Sequence, residues 1–310
     1  MSATLVILVV ASLVAASTAL LGSFLVLRRM SLLGDAISHA VLPGIVLAFL
    51  FTGSRSPLPM VIGAGALGVI TVLAVELFHR TRRLKEDASI GVVFPALFSI
   101  GVILVSRYTA QVDLDLDCVL YGEIAYAPWD LLLVGGVSWG PKALWVNGAV
   151  LLLNLTFVLL LYKELKVSTF DPELAAALGF RPALLHYLLM TLVSITVVAA
   201  FEAVGAILVV AMLVVPPATA YLLTDRLSRL LALAGVLGIT ASAAGYGLAR
   251  LLDASIAGAI ATVAGLLFLA VFLASPRYGL LARALRTRRL ARQLAAELAA
   301  LQAEKRAASH

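Results

Sequence analysis

Asp35 and His39 lie four residues apart in SLLGDAISHAVLPGIVLAFLF (31–51), a stretch with no other charged residue. Ionisable side chains are costly inside a bilayer and usually face a polar pathway or a partner there. Positions i and i+4 share one helix face, so the pair offers a carboxylate oxygen and an imidazole nitrogen in one direction. That is half of a donor set suited to a first-row divalent metal. A buried hydrogen bond pinning two helices would use the same residues, and the spacing leaves both readings open. Ligands bind metal only when deprotonated, so acid would weaken a site that uses His39.

The elements that must hold this pair are membrane helices. Of 310 residues, 62% are hydrophobic and 13% charged, and the mean hydropathy is +1.07. Soluble domains carry about 25% charged residues. Apolar runs of ~20 residues are long enough for helical spans and too long for barrel strands. Nine segments are expected, near 3–27, 31–53, 58–79, 88–107, 142–162, 183–202, 204–223, 228–249 and 255–275. The count falls to eight if the nearly continuous 183–223 region holds a re-entrant piece. The fold class is therefore all-α and polytopic, with a transmembrane domain over 1–276 and a cytoplasmic amphipathic helix and tail over 277–310. Residues 3–27 read as a retained helix, because no short apolar region with a small-residue cleavage site opens the chain. Cys118 is the only cysteine, which excludes an internal disulfide and a cysteine zinc cluster.

A net charge of +6 could suggest nucleic acid, but 19 of the 23 basic residues fall on alternate loops and the tail. Only Arg55, Arg107, Lys142 and Arg250 lie on the other side. The positive-inside rule then puts the C-terminus in the cytoplasm and, for nine spans, the N-terminus outside.

In KELKVSTFDPELAAALGFR (163–181), Asp171 suits an N-cap, Pro172 the first helical position and Glu173 the positive end of the dipole. Leu174 to Leu178 form the body, and Gly179 suits the left-handed residue that ends it. So short a helix needs something to dock against, either a partner surface or the headgroups. Leu290, Leu294, Leu298 and Leu301 recur at helical spacing in the tail, for anionic lipid or a packed partner. DLDLD (113–117) alternates like a strand yet reads as exposed carboxylates, either a plain solvated acidic loop or one that raises cation concentration at the pore mouth. WDLLLVGGVSW (129–139) is too short to span and suits the interface through Trp129 and Trp139. Pro43, Pro95, Pro216 and Pro217 are expected to interrupt their helices, as in transporters that line sites with freed carbonyls. His79, His186 and His310 read as structural or solvated. Glu76, near a membrane end, should snorkel or pair with an arginine.

Four stretches, RRMSLLGDAISHAVLPG (28–44), EDASIGVVFPALFSIGVIL (86–104), FDPELAAALGF (170–180) and FEAVGAILVVAMLVVPPATAYLL (201–223), resemble the membrane subunits of bacterial manganese/zinc/iron ABC importers. The resemblance runs from about residue 5 to 280, and GDAISHAVLPG is closer to the manganese and iron branch. It implies a permease that pairs with a second protomer, identical or paralogous, and binds two cytoplasmic ATPase subunits. It also implies that metal arrives from an extracytoplasmic binding protein. Asp35 and His39 match the family's metal-coordinating positions, and Glu202 matches an acid that either lines the pathway or caps the sixth span. Residues 168–180, with Phe170, Asp171, Pro172, Glu173, Leu174, Leu178 and Gly179, match the helix that docks on the ATPase. A two-fold pair would bring together two Asp35 and two His39, a mixture suited to Mn²⁺ first, and to Fe²⁺ or Zn²⁺. No cofactor is expected on this chain: it has no G-x-x-x-x-G-K-[ST] loop, so ATP belongs to the partner subunit and the chain is no enzyme.

Two alternatives remain within transport. A proton- or sodium-driven carrier would show a chain of midplane acids and a pseudo-repeat, and neither is visible. A permease for metal chelates would need a wide site and no coordinating pair. An intramembrane metalloprotease would need H-E-x-x-H, which is missing.

Overall fold

The computed structural model describes residues 2–40, 42–53, 57–81, 84, 86–108, 124–134, 137–275 and 279. The helices before the outer loop are α1 (Ala3–Leu27), α2 (Leu32–Ala40), α3 (Leu42–Thr52), α4 (Pro57–Arg80) and α5 (Glu86–Tyr108). After it come α6 (Lys142–Leu160), α7 (Tyr162–Phe170), α8 (Pro172–Ala177), α9 (Pro182–Val204), α10 (Ala206–Tyr221), α11 (Leu227–Leu252) and α12 (Ile256–Ala274). Among the described residues, seven stretches are long and apolar enough to cross a membrane, with Leu32–Thr52 counted as one. Two shorter apolar helices, Ile62–Phe78 and Ala206–Tyr221, accompany them. Helices are forced here because a lipid-facing backbone must satisfy its polar groups internally.

The region read as nearly continuous over 183–223 divides into α9 and α10 at Gly205, whose φ is 79°. α1 is the axial helix, flanked by α6, α9, α10 and α11, and Val10, Val14, Leu21 and Phe24 are wholly buried along it. Asn154 of α6 joins three helices from inside: its Nδ2 donates to Ser17 Oγ of α1 and to Thr196 Oγ1 of α9, each at 2.8 Å. Such bonds hold membrane helices where no hydrophobic gain between helices is available.

One expectation is corrected. Pro95, Pro216 and Pro217 do not end their helices: α5 runs through the first and α10 through the other two. Each proline removes one N–H and frees the carbonyl four residues back, and a neighbouring helix can re-satisfy it. Around 129–139, which the sequence reads as too short to span, a small strand pair accompanies the helices. Leu131–Val134 (β1) and Val137–Pro141 (β2) form an antiparallel hairpin, with Val134 paired to Val137. Apolar and β-branched residues flanking Gly-Gly are a hairpin signal that the aromatic residues obscured. Trp139 and Trp145 meet edge to face, and Trp145 Nε1 donates to the Trp139 carbonyl at 2.9 Å. The acidic DLDLD loop, Cys118, Val41 and the tail over 280–310 lie outside the described residues.

Candidate functional site

α2 carries the acid–base pair and is packed among α4, α5, α9 and α10. Leu33, Ala36, Ile37 and Ala40 are buried, and their spacing makes one stripe along the helix. Asp35 and position 39 fall roughly on the opposite face, where Asp35 is half-buried. The side chain of His39 lies outside what the structure describes. Small residues let α2 sit deep. A Cβ on Gly34 would stand 2.0 Å from Leu213 Cδ2 of α10, and one on Gly68 of α4 would lie 3.4 Å from Ile37 Cγ2. Among the described residues no group of three His, Cys, Asp or Glu converges on one point.

Glu202 is near the C-terminal end of α9, and its carboxylate pairs with the Lys142 ammonium at the start of α6. Tyr126, Asp130 and Asn147 share the surrounding cavity of about 220 Å³. Gly68 of α4 lies against both Ser194 of α9 and Ile37 of α2. Glu202 is eight residues beyond Ser194, or about 12 Å of helix rise. The structure thus brings Glu202 to Lys142, sixty positions earlier in the chain, where it ties α9 to α6. Nothing in the local sequence announces that partner.

The segment matched to the ATPase-docking helix folds as its punctuation requires. The N–H of Leu174 donates to Asp171 Oδ1 at 2.9 Å, and Pro172 opens α8. At the other end Phe180 N–H donates to the Ala175 carbonyl and Gly179 N–H to that of Ala176, each at 3.0 Å. These are the paired bonds of a Schellman ending. Gly179 has φ 86°, a conformation that a Cβ would make costly. The expected single unit over 168–180 is in fact a helix–cap–helix step, since residues 168–170 close α7. Ala175 is fully buried and anchors α8, while Phe170, Leu174 and Leu178 are about half exposed, at 59%, 49% and 58%. Phe170 closes α7, Leu174 lies within α8 and Leu178 caps it, so the step carries exposed apolar side chains beside the exposed Asp171 and Glu173.

A third cluster joins that step to the bundle. Arg28, the C-cap of α1, donates from Nε and Nη2 to Thr169 Oγ1 and from Nη2 to Ser168 Oγ, all at 3.2 Å. Its Nη1 lies 3.3 Å from His186 Nδ1 of α9. A guanidinium only donates, so in this contact Nδ1 is the acceptor. His186 Nε2 lies 3.6 Å from Glu76 Oε2 of α4. Burial lowers Arg28 to about 10, which leaves it charged at physiological pH. His186, expected to be structural or solvated, is structural: it bridges Arg28 and Glu76.

Comparison with known proteins covers nearly the whole chain. The sequence pattern of the ABC 3 transport family matches residues 2–275. The manganese transport system membrane protein MntD of Bacillus subtilis is 50% identical over 275 residues, 89% of this chain and 93% of that protein. The zinc transport system membrane protein TroD of Treponema pallidum is 48% identical over 288 residues, 93% of this chain and 78% of that protein. The chelated iron transport system membrane protein YfeC of Yersinia pestis is 38% identical over 280 residues, 90% and 88% of the two chains. Among solved structures, PsaBC from Streptococcus pneumoniae in complex with Fab superposes with a TM-score of 0.75 at 30% identity, covering 93% of this chain and 96% of that one. With a bundle of apolar helices, a capped surface step and matches of this extent, the chain belongs to the ABC 3 transport family.

Proposed function

We propose that this protein is the membrane subunit of an ATP-driven importer that carries a divalent transition metal into the bacterial cytoplasm. The observation that carries the reading is the face of α2 bearing Asp35 and position 39, which lies opposite the buried Leu33–Ala36–Ile37–Ala40 stripe. In this reading that face meets a symmetry-related copy or a paralogue, which would double the donors to two carboxylates and two imidazoles. Such a set takes Mn²⁺, Fe²⁺ or Zn²⁺ and lacks the thiolates that would hold zinc or copper too firmly for release. Mn²⁺ is the first choice, in keeping with the named manganese relative at 50% identity.

ATP is hydrolysed in two cytoplasmic subunits that seat against the exposed side chains of Phe170, Leu174 and Leu178. Metal arrives from an extracytoplasmic binding protein on the opposite face. The basic loops support a cytoplasmic C-terminus and, with nine spans, an external N-terminus. In this reading Glu202 secures the outer end of α9 through Lys142 rather than binding metal.

The test is uptake of Mn²⁺, Fe²⁺ and Zn²⁺, offered separately, by cells that carry the permease with its ATPase and binding protein. Asp35→Ala and His39→Ala, each shown to reach the membrane, should reduce uptake by at least about ten-fold, a loss that even outer-sphere partners of a metal produce. Undiminished uptake in both variants would mean that metal takes another route.

A further inference from the structure

We propose that Arg28 is the positioning residue that transmits movement of the docking step to the metal-bearing helix α2. The inference rests on the reading of 168–180 as the ATPase-docking segment and of α2 as the metal helix. Arg28 is held from both sides. Its guanidinium bonds both hydroxyls at the end of α7, immediately before the Asp171 cap of α8. Its backbone is the last link before a tight turn into α2. Arg28 N–H donates to the Phe24 carbonyl, Arg29 N–H to Val26 and Met30 N–H to Leu25, and Leu33 N–H then donates back to the Met30 carbonyl. Arg29 is left-handed, with φ 63°, so the turn is a fixed corner rather than a slack linker. Asp35 lies in the first turn of α2, seven residues from Arg28.

The chemistry suits a movable link. No carboxylate meets the guanidinium among the described residues, and its partners are two hydroxyls and one imidazole. Hydroxyls rotate and exchange bonds, whereas a bidentate carboxylate would fix one geometry. A cavity of about 520 Å³ opens beside the cluster, lined by Arg28, Glu76, Ser168, Thr169, Pro172 and His186. The cluster can therefore shift without repacking the core. Through His186 and Glu76 it also reaches α9 and α4, two of the helices that flank α2. Only a branched, always-charged fork can hold α7 and α9 at once.

The experiment uses the full permease–ATPase complex in proteoliposomes, with Mn²⁺ and its binding protein, and reads ATP hydrolysis and Mn²⁺ import together. Arg28→Met should leave ATP hydrolysis near wild type and lower Mn²⁺ moved per ATP by about three- to ten-fold, the size of a lost coupling contact. Arg28→Lys should recover little of it, because an ammonium cannot span both helices. The Ser168→Ala, Thr169→Val double variant cuts the same link from the other side. It should lower the ratio in the same direction, which guards against misfolding of the arginine variants. Import and hydrolysis that fall in proportion, or a ratio that does not move in the double variant, would overturn the role. Leu174→Asp is the separate control for the docking reading. If the ATPase stays bound to it, that reading fails; if the ATPase leaves while Arg28→Met keeps its ratio, only the Arg28 proposal fails.

Discussion

Gly22 of α1 lies directly against the backbone of Leu213 in α10: a Cβ on Gly22 would stand 1.9 Å from the Leu213 carbonyl oxygen. That carbonyl is four residues before Pro217, which has no N–H to give it. The glycine lets a second helix close over the freed oxygen, a contact open to weak Cα–H···O bonding. The same Leu213 reaches Gly34 with its side chain, so one residue sets the spacing of α1, α10 and α2.

Gly22→Ala should consequently be far more damaging than its size suggests. The collision is with backbone, which cannot rotate away, and overpacking costs about 1–3 kcal/mol. Gly235→Ala and Gly247→Ala in α11 are the controls, since nothing lies within 4 Å of a Cβ at either. They should be neutral or stabilising by up to about 1 kcal/mol through helix propensity. Thermal unfolding in detergent decides between these outcomes, and equal effects at all three positions would count against the close approach.

The docking step makes a prediction that separates fold from assembly. Leu174→Asp and Leu178→Asp alter exposed side chains, so yield and unfolding temperature should hold while co-purification of the ATPase falls. Asp171→Ala should act differently. Loss of its bond to Leu174 N–H removes a cap worth about 1 kcal/mol, loosens α8 and weakens ATPase binding in part. A pull-down series with all three variants would show the gradation.

Glu202 and Lys142 distinguish an anchor from a ligand. Their side chains are 40% and 19% exposed, so the pair should contribute no more than about 1 kcal/mol. Glu202→Gln and Lys142→Met should have matched, small effects on stability and leave metal uptake within a factor of about three. The Glu202→Lys, Lys142→Glu exchange should restore most of the loss. Uptake abolished by Glu202→Gln but untouched by Lys142→Met would instead mark Glu202 as a metal ligand.

Asn154 offers a test of the inner clamp. Asn154→Leu removes both donations to Ser17 and Thr196 at similar volume. It should cost about 0.6–1.7 kcal/mol, the range measured for interhelical hydrogen bonds in membranes. A Ser17→Ala, Asn154→Leu double-mutant cycle would show coupling between the two positions. Strict additivity would mean that α1 and α6 are held by packing alone.

What the sequence by itself determined is whatever depends on near neighbours. The apolar runs specify helices because a spanning backbone has no other way to satisfy itself. Asp171, Pro172 and Gly179 specify both ends of α8 because caps act within four residues. The interval from 35 to 39 specifies a shared face because helical period is a local property. The tertiary structure decided what depends on residues far apart in the chain: Lys142 as the partner of Glu202, Ser168 and Thr169 as the partners of Arg28, and Gly22 as the neighbour that lets α10 continue through its prolines. Those pairings follow from which helices lie side by side, and the interhelical geometry that selects them leaves no periodic trace in either segment.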